Sequence, residues 1–509
     1  MFLSSPCTKG VVYGLLIACL TGCVNDPASM RIDHALDPDV GVPADRFSNW
    51  KPSPSEKALI NQSEGIRPHT PGQDLFDHGK TYAVADLVDL GLRSNPVTRS
   101  AWEDARAAAA ALGIAEAAWL PALTANISGG YWRYPFPSPG SAFSLQGSLI
   151  DPVFNLSWTL FDLSRPAKID MAMQQLFATN LALNRNHQNV IYKVETAFYG
   201  LVAARAKVEA GEITFRQATR NMDAIKAQLE VGLATQPEYL LAVQDQARAG
   251  YELQGARGTV MEKDAELAEQ LALPPGSPLK TVTLNQVDLP RDSELTADAL
   301  IDVALSDRPD LSAKLADMRA RDAEIRRAEA NYWPVIGLQA DGGWKVWNYR
   351  NAGGTDPNQG SQPVNISSPL TDAYLTVEWN FFEGFATTNA VRQAEAKRNA
   401  AEAELEAMKL RVMKEIWKAY ADLKTAARKR EFAVNMLRAA EAGYESALKS
   451  YEQGLATVIE LLTAERNLAQ ARYTEIDSKS SLLTAAASLT FAAGGSTAEN
   501  GSLTSDFIR

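Results

Sequence analysis

The sequence predicts an α+β membrane protein, built twice over from strands and very long helices, in which three chains close a twelve-stranded β-barrel continued by a coiled-coil tube. Three observations predict it: a repeat that recurs in the same order along the chain, strand segments with one apolar and one polar face, and helical runs too long for an ordinary core.

The repeat is read first because it fixes the frame. Asp86-Leu87-Val88-Asp89-Leu90-Gly91-Leu92-Arg93-Ser94-Asn95-Pro96 returns as Leu300-Ile301-Asp302-Val303-Ala304-Leu305-Ser306-Asp307-Arg308-Pro309. Trp119-Leu120-Pro121 returns as Tyr332-Trp333-Pro334, and both proline pairs are 213 residues apart. Trp158 to Asp162 matches Trp379 to Glu383 at 221 residues, and Val231 to Thr235 matches Gln453 to Thr457 at 222, the small growth marking a loop insertion. Ordered recurrence at several points is a stronger signal than any one short motif. It divides the chain into a first repeat over 81–290 and a second over 291–493, each a short helix, a helix, two strands, a very long helix and a long helix.

Within each repeat, Ala101 to Trp119 and Asp310 to Tyr332 are rich in Ala, Arg and Glu and stop where a proline begins the strands. Along the strands, Phe154, Leu156, Trp158 and Leu160 alternate with Asn155, Ser157 and Thr159, and Leu375, Val377, Trp379 and Phe381 with Thr376, Glu378 and Asn380. Partner strands are expected over about Leu123 to Tyr134 and Ile336 to Val346. Tyr131, Trp132, Tyr134, Trp344, Trp347 and Tyr349 fall near strand ends, where an interfacial girdle belongs. A soluble sheet with one buried face has the same alternation, so the helices decide between the two. Pro166 to Val231 and Ala386 to Gln453 contain hardly a Gly or Pro, so each predicts one helix on the order of 100 Å long. The returning helices, Gln236 to Leu273 and Val458 to Ala493, complete two hairpins. Their abundant Ala permits close approach but buries little area, so many helices must pack together. Four strands per chain do not close around a channel, since about eight are needed merely to hold a packed interior; three chains supply twelve.

The amino terminus carries an address. Lys9 is the only charge before Asp26, and Val11 to Leu20 is apolar but far shorter than a span, which predicts a cleaved signal peptide over 1–22. Leu20-Thr21-Gly22-Cys23 resembles the lipobox of bacterial lipoproteins, making Cys23 the acylated first residue. Leu16-Ile17-Ala18-Cys19 also fits, with a shorter apolar segment before it. Neither Val24 nor Asn25 is the aspartate that tends to retain lipoproteins at the inner membrane. Residues 23–80 read as an extended linker, and 494–509 as a flexible tail rich in Gly, Ser and Thr.

Composition excludes several classes. A net charge of -11 speaks against a nucleic-acid partner. All three cysteines lie in the leader, so no disulfide framework or cysteine metal site is expected. Of four histidines, His34, His69 and His78 lie in the linker, leaving His187 on a long helix. No phosphate loop or metal-binding His pair appears, so the chain reads as neither an enzyme nor a cofactor carrier. The acidic residues sit among Lys and Arg at helical spacing, as on solvated coiled-coil faces.

The repeated Gly-Leu-Ala-Thr falls where one helix stops and the next begins. Gly232 and Gly454 suit a left-handed C-cap. Thr235 precedes Glu238, and Thr457 precedes Glu460, at the spacing of a capping box. In a trimer the same glutamates would ring an entrance, where acidic groups favour cations.

Lipobox, duplicated strand and helix halves, the Asn95-Pro96 and Arg308-Pro309 openings and the paired tips together resemble the outer membrane efflux proteins of the TolC and OprM type, over about residues 80 to 493. The resemblance implies a homotrimer in the outer membrane with a periplasmic helical domain. Its partners would be a periplasmic adaptor and an inner-membrane pump. Gly232, Leu233, Ala234 and Thr235 with Gly454, Leu455, Ala456 and Thr457 would dock the adaptor, while Glu238, Glu460 and Tyr451 would stand at the gate. The sequence departs at Ala456, where TolC carries an arginine that ties the gate shut. Passive conduction for multidrug or small-molecule efflux beside a proton-driven pump of RND type is the expected function. Peptide or protein secretion with an ATP-driven pump of ABC type is the alternative. A non-channel periplasmic coiled-coil scaffold lipoprotein is the alternative of a different class.

Overall fold

A computed structural model describes residues 76–77, 79–138, 141–290, 296–352 and 364–495. The leader with Cys19 and Cys23, nearly all of the linker and the tail beyond Gly495 lie outside them. Each repeat has the expected order. The first runs α1 (Val84–Ser94), α2 (Pro96–Glu116), β1 (Ala122–Ser138), β2 (Ser141–Phe161), α3 (Ser164–Glu230) and α4 (Gln236–Gln270). The second runs α5 (Ala297–Asp307), α6 (Pro309–Glu329), β3 (Val335–Ala352), β4 (Val364–Glu378), α7 (Ala386–Glu452) and α8 (Val458–Ala493). Helices α2 and α6 start earlier than expected, at the prolines themselves, because a proline at the first helical position loses no hydrogen bond and has φ already set.

The chain forms two compact units that cut across the repeats. One holds Ala107–Phe177 and Ala316–Ala403; the other holds Asp33–Arg106, Ala178–Leu315 and Glu404–Arg509, so far as they are described.

In the first unit the strands make one antiparallel sheet in the order β1-β2-β3-β4, leaving β1 and β4 as edges. Its register aligns the faces of all four strands. Leu123 faces Leu156, Leu156 faces Ala340, Trp158 faces Leu338 and Leu338 faces Leu375, so one face is apolar over the half of the sheet that adjoins the helices. On the other face Asn126 donates to Asn155 over 2.7 Å, and Asn155 to Asp341 over 2.6 Å, a polar ladder across three strands. Leu123, Ile127, Phe154 and Leu375 are exposed in the single chain. β1 and β3 run beyond the expected Tyr134 and Val346, because both continue pairing with β2 past the alternating core segments. At the β2–β3 contact a Cβ on Gly343 would lie 2.2 Å from the Pro152 carbonyl oxygen, so glycine is required there. Each sheet end is tied to the preceding helix in the same way: the Trp158 indole donates to the Trp119 carbonyl and the Trp379 indole to the Tyr332 carbonyl, both over 3.0 Å. The duplication thus survives in hydrogen bonds as well as sequence.

In the second unit the hairpin helices pack around Val190, Val194, Phe198, Leu201, Leu267 and Leu271, with Leu87 and Leu90 of α1 against them. Phe76, at the end of the expected linker, is buried in this core and stacks on Tyr82 with ring centroids 5.4 Å apart. Among the described residues no helix is long and apolar enough to cross a membrane.

Candidate functional site: the hairpin tips

Both hairpin turns are built alike, for reasons visible in their residues. Gly232 and Gly454 adopt φ of 78° and 71°, the left-handed region that glycine enters without steric cost. The amides of Leu233 and Leu455 donate to the carbonyls of Gln228 and Ser450, each over 2.8 Å, and those of Gly232 and Gly454 to Leu229 and Tyr451. This is the Schellman arrangement, which satisfies the last carbonyls of α3 and α7.

The returning helices begin on the expected caps. The Thr235 amide donates to the Glu238 carboxylate and the Thr457 amide to the Glu460 carboxylate, both over 2.7 Å. The Glu460 amide donates in turn to the Thr457 hydroxyl over 3.3 Å. The Thr235 amide and hydroxyl hold the Glu238 carboxyl below the usual carboxylate range. Both glutamates are therefore folded back onto helix starts in the single chain.

The expected docking residues divide by surroundings. Leu233 and Leu455 are 79% and 78% exposed, two large apolar side chains with no cover at the tips. Val231 and Ile459 beside them are also exposed. Ala234 instead packs inward, against a small core of Ile225, Ala242, Val458 and Leu462. Tyr451 borders the same core, and its hydroxyl donates to Gln228 Oε1 over 2.6 Å, joining α7 to α3. Burial, with the nearby Glu238 charge, pushes the Tyr451 phenol up. Sequence reading placed Tyr451 here but not Gln228, since only the packed hairpins bring them together.

Further from the tips lies a polar node that the sequence reading missed. Asp245 of α4 is 1% exposed and receives Arg466 of α8 at 2.7 Å and Arg248 at 2.9 Å, all on one carboxylate oxygen. Glu465 of α8, also 1% exposed, accepts from Asn221 of α3 over 2.6 Å. A signal was present: Asp245 interrupts the buried stripe Ala242, Ala249 and Leu253, and Glu465 the stripe Leu461, Leu462, Leu468 and Ala469. Among the described residues no group of three or more His, Cys, Asp or Glu is placed to hold a metal.

The tips present two turns with exposed apolar side chains, and side-chain hydrogen bonds join one hairpin to the other. The outer membrane efflux protein family model matches residues 87–272 and 300–495. Protein CyaE of Bordetella pertussis is 28% identical over 418 residues, spanning 81% of this chain and 84% of the relative. The toluene efflux pump outer membrane protein TtgC of Pseudomonas putida is 23% identical, spanning 91% of this chain and 92% of its own. The fold matches the Campylobacter jejuni CmeC outer membrane channel with a TM-score of 0.69 at 17% identity, over 83% of this chain and 89% of that one.

Proposed function

The chain belongs to the outer membrane efflux protein family, and from that premise we propose that three copies assemble in the outer membrane as the exit duct of a tripartite efflux system. The chain conducts passively, carrying substrate outward from an adaptor and an inner-membrane pump. The observation that carries this reading is the four-stranded sheet. It has one apolar and one polar face, and both its edges are open among the described residues. Open edges must be paired or covered, and a lipid-facing sheet tolerates no unpaired edge. Three copies joined edge to edge satisfy every strand and place the Asn126, Asn155 and Asp341 ladder on a wet interior.

Leu233 and Leu455, with the exposed Val231 and Ile459 beside them, form the adaptor-docking surface in this reading, since grouped exposed apolar side chains mark contact sites. Adaptor binding favours an open arrangement of the hairpins to the extent that it contacts that arrangement better. Cys23 carries the lipid that anchors the amino terminus. Small apolar compounds are the proposed cargo, supported by the relative named for toluene efflux. The test is the mass of the purified protein in detergent together with its single-channel conductance in a planar bilayer. A trimer with a small resting conductance is expected. A monomer that never conducts would leave a periplasmic scaffold instead.

A further inference from the structure

The buried node between the hairpins contains two carboxylates and an imbalance of hydrogen bonds. Asp245 Oδ2 and Glu465 Oε1 are both buried and have no hydrogen-bond partner in the structure. An orphaned buried acceptor destabilises the fold that buries it, and here there are two on facing helices of one node. The groups around Glu465 come from every hairpin helix. α3 supplies Asn221; α4 supplies Asp245 and Arg248; α7 supplies Tyr444, itself flanked by Arg220 and Arg472; α8 supplies Arg466. Both Arg248 and Arg466 spend their hydrogen bonds on Asp245, and Arg248 also holds Glu252 at 2.8 Å. With every acid ionised, three carboxylates face two guanidinium groups that contact them. Neither guanidinium donates to Glu465, so its Oε1 lacks a donor, which a proton on that carboxyl supplies. A metal ion fits poorly, since these carboxylates are not grouped to hold one and two of them already bind guanidinium groups.

We infer that Glu465 is a proton-binding site that latches the two hairpins: packed hairpins hold its carboxyl buried and protonated beside Asn221 and the Asp245 charge, and separation of the hairpins releases the proton to water. Burial, aided by the Asp245 charge, pushes the Glu465 carboxyl up to about 7, so the site titrates near neutrality. A rise in pH then ionises a carboxyl between helices of both hairpins and loosens their packing. The inference concerns hairpin packing within one chain and stands whether or not the protein conducts.

The experiment uses the full chain as processed and lipidated on Cys23, in detergent, with nitroxide labels on cysteines substituted for Leu233 and Leu455. Inter-label distances and the infrared band of protonated carboxyl groups are measured at pH 6 and pH 8.5. Wild type should lose a protonated-carboxyl band and gain a separated population on the alkaline step. Glu465→Gln, which keeps a donor and cannot ionise, should stay close at both pH values and keep only the part of the band change that the buried Glu195 carries, a part that Glu195→Gln identifies. Asp245→Asn supplies a second arm: it removes the neighbouring charge and should move the midpoint of the band to lower pH. The latch is overturned if Glu465→Gln separates with pH as wild type does, if the wild-type carboxyl is already ionised at pH 6, or if Asp245→Asn leaves the midpoint unmoved.

Discussion

Asn95 and Arg308 stand at the same point of the two repeats, and each holds the last turn of its own returning helix. The Asn95 amide donates to the Gln270 carbonyl over 2.9 Å, and the Arg308 guanidinium to the Ala492 carbonyl over 3.2 Å. Terminal helix carbonyls lack partners within the helix, and in both repeats the residue before the proline supplies one. The second copy is the more elaborate. Arg308 also binds Asp310 at 2.6 Å and Glu415 at 2.8 Å, while Arg185 stacks over Phe491 and donates to its carbonyl, and Gln188 donates to the Gly494 carbonyl.

Replacing Arg308 with Ala should accordingly cost more than replacing Asn95. Loss of a buried guanidinium that serves two carboxylates is expected to cost about 3 kcal/mol, and loss of the Asn95 bond about 1 kcal/mol. Arg308→Lys should fall between them, since it keeps the charge without the planar fork. Thermal unfolding followed by circular dichroism reads the order. An Asn95→Ala variant less stable than Arg308→Ala would show that the shared position is not a shared cap.

Gly232→Val and Gly454→Val place a branched side chain in the left-handed region, at roughly 1–2 kcal/mol each. Nothing lies within 4 Å of the added Cβ at either site, so the penalty is confined to the turn. We predict that export and adaptor binding fail while the trimer persists, as seen by mass in detergent and a pull-down with the adaptor. Loss of the trimer would make the tips structural.

The charge of Glu238 and Glu460 can be separated from their capping role. Glutamine serves a capping box as glutamate does, so the Glu238→Gln, Glu460→Gln pair should keep helix stability. The corresponding Ala pair should lose about 1 kcal/mol per cap. If the carboxylates also control the entrance, resting conductance rises in both pairs. A rise confined to the Ala pair would assign them to the caps alone.

Tyr451→Phe deletes the hydroxyl that joins α7 to Gln228 of α3. The loss is about 1 kcal/mol, acting on the relation of one hairpin to the other and hardly on either helix. Resting conductance should rise with little change in thermal midpoint. Unchanged conductance would remove this bond from the closed state.

Burial alone pushes Glu195 of α3 up to about 7. A carboxyl whose pKa is raised on folding stabilises most below its unfolded value, near 4.5, and that contribution is lost as pH rises through about 7. The thermal midpoint of wild type should thus fall between pH 5 and pH 8 by more than that of Glu195→Gln. Equal slopes would mean that Glu195 titrates like an exposed carboxyl.

Much was legible before any coordinates. The repeat, the positions of α3, α4, α7 and α8 to within a few residues, the left-handed glycines and both capping boxes all follow from local rules: period, propensity and the needs of helix ends. Strand alternation foretold that one face is apolar and the other polar, because side chains on a strand point alternately up and down whatever the partner. Other features depend on which segments meet. The Trp158 bond to Trp119, the close approach that makes Gly343 obligatory, and the Gln228 partner of Tyr451 have no local signature. The acids Asp245 and Glu465 could be seen to break two buried stripes, yet their common environment arises only when residues from four helices share one volume. The sequence by itself determined the elements, their order and their faces, because those are set by interactions within a few residues. Tertiary structure decided the sheet order, the bonds between hairpins and the burial of the Asp245 and Glu465 node, because hydrogen bonds and desolvation depend on what packing brings within a few ångströms.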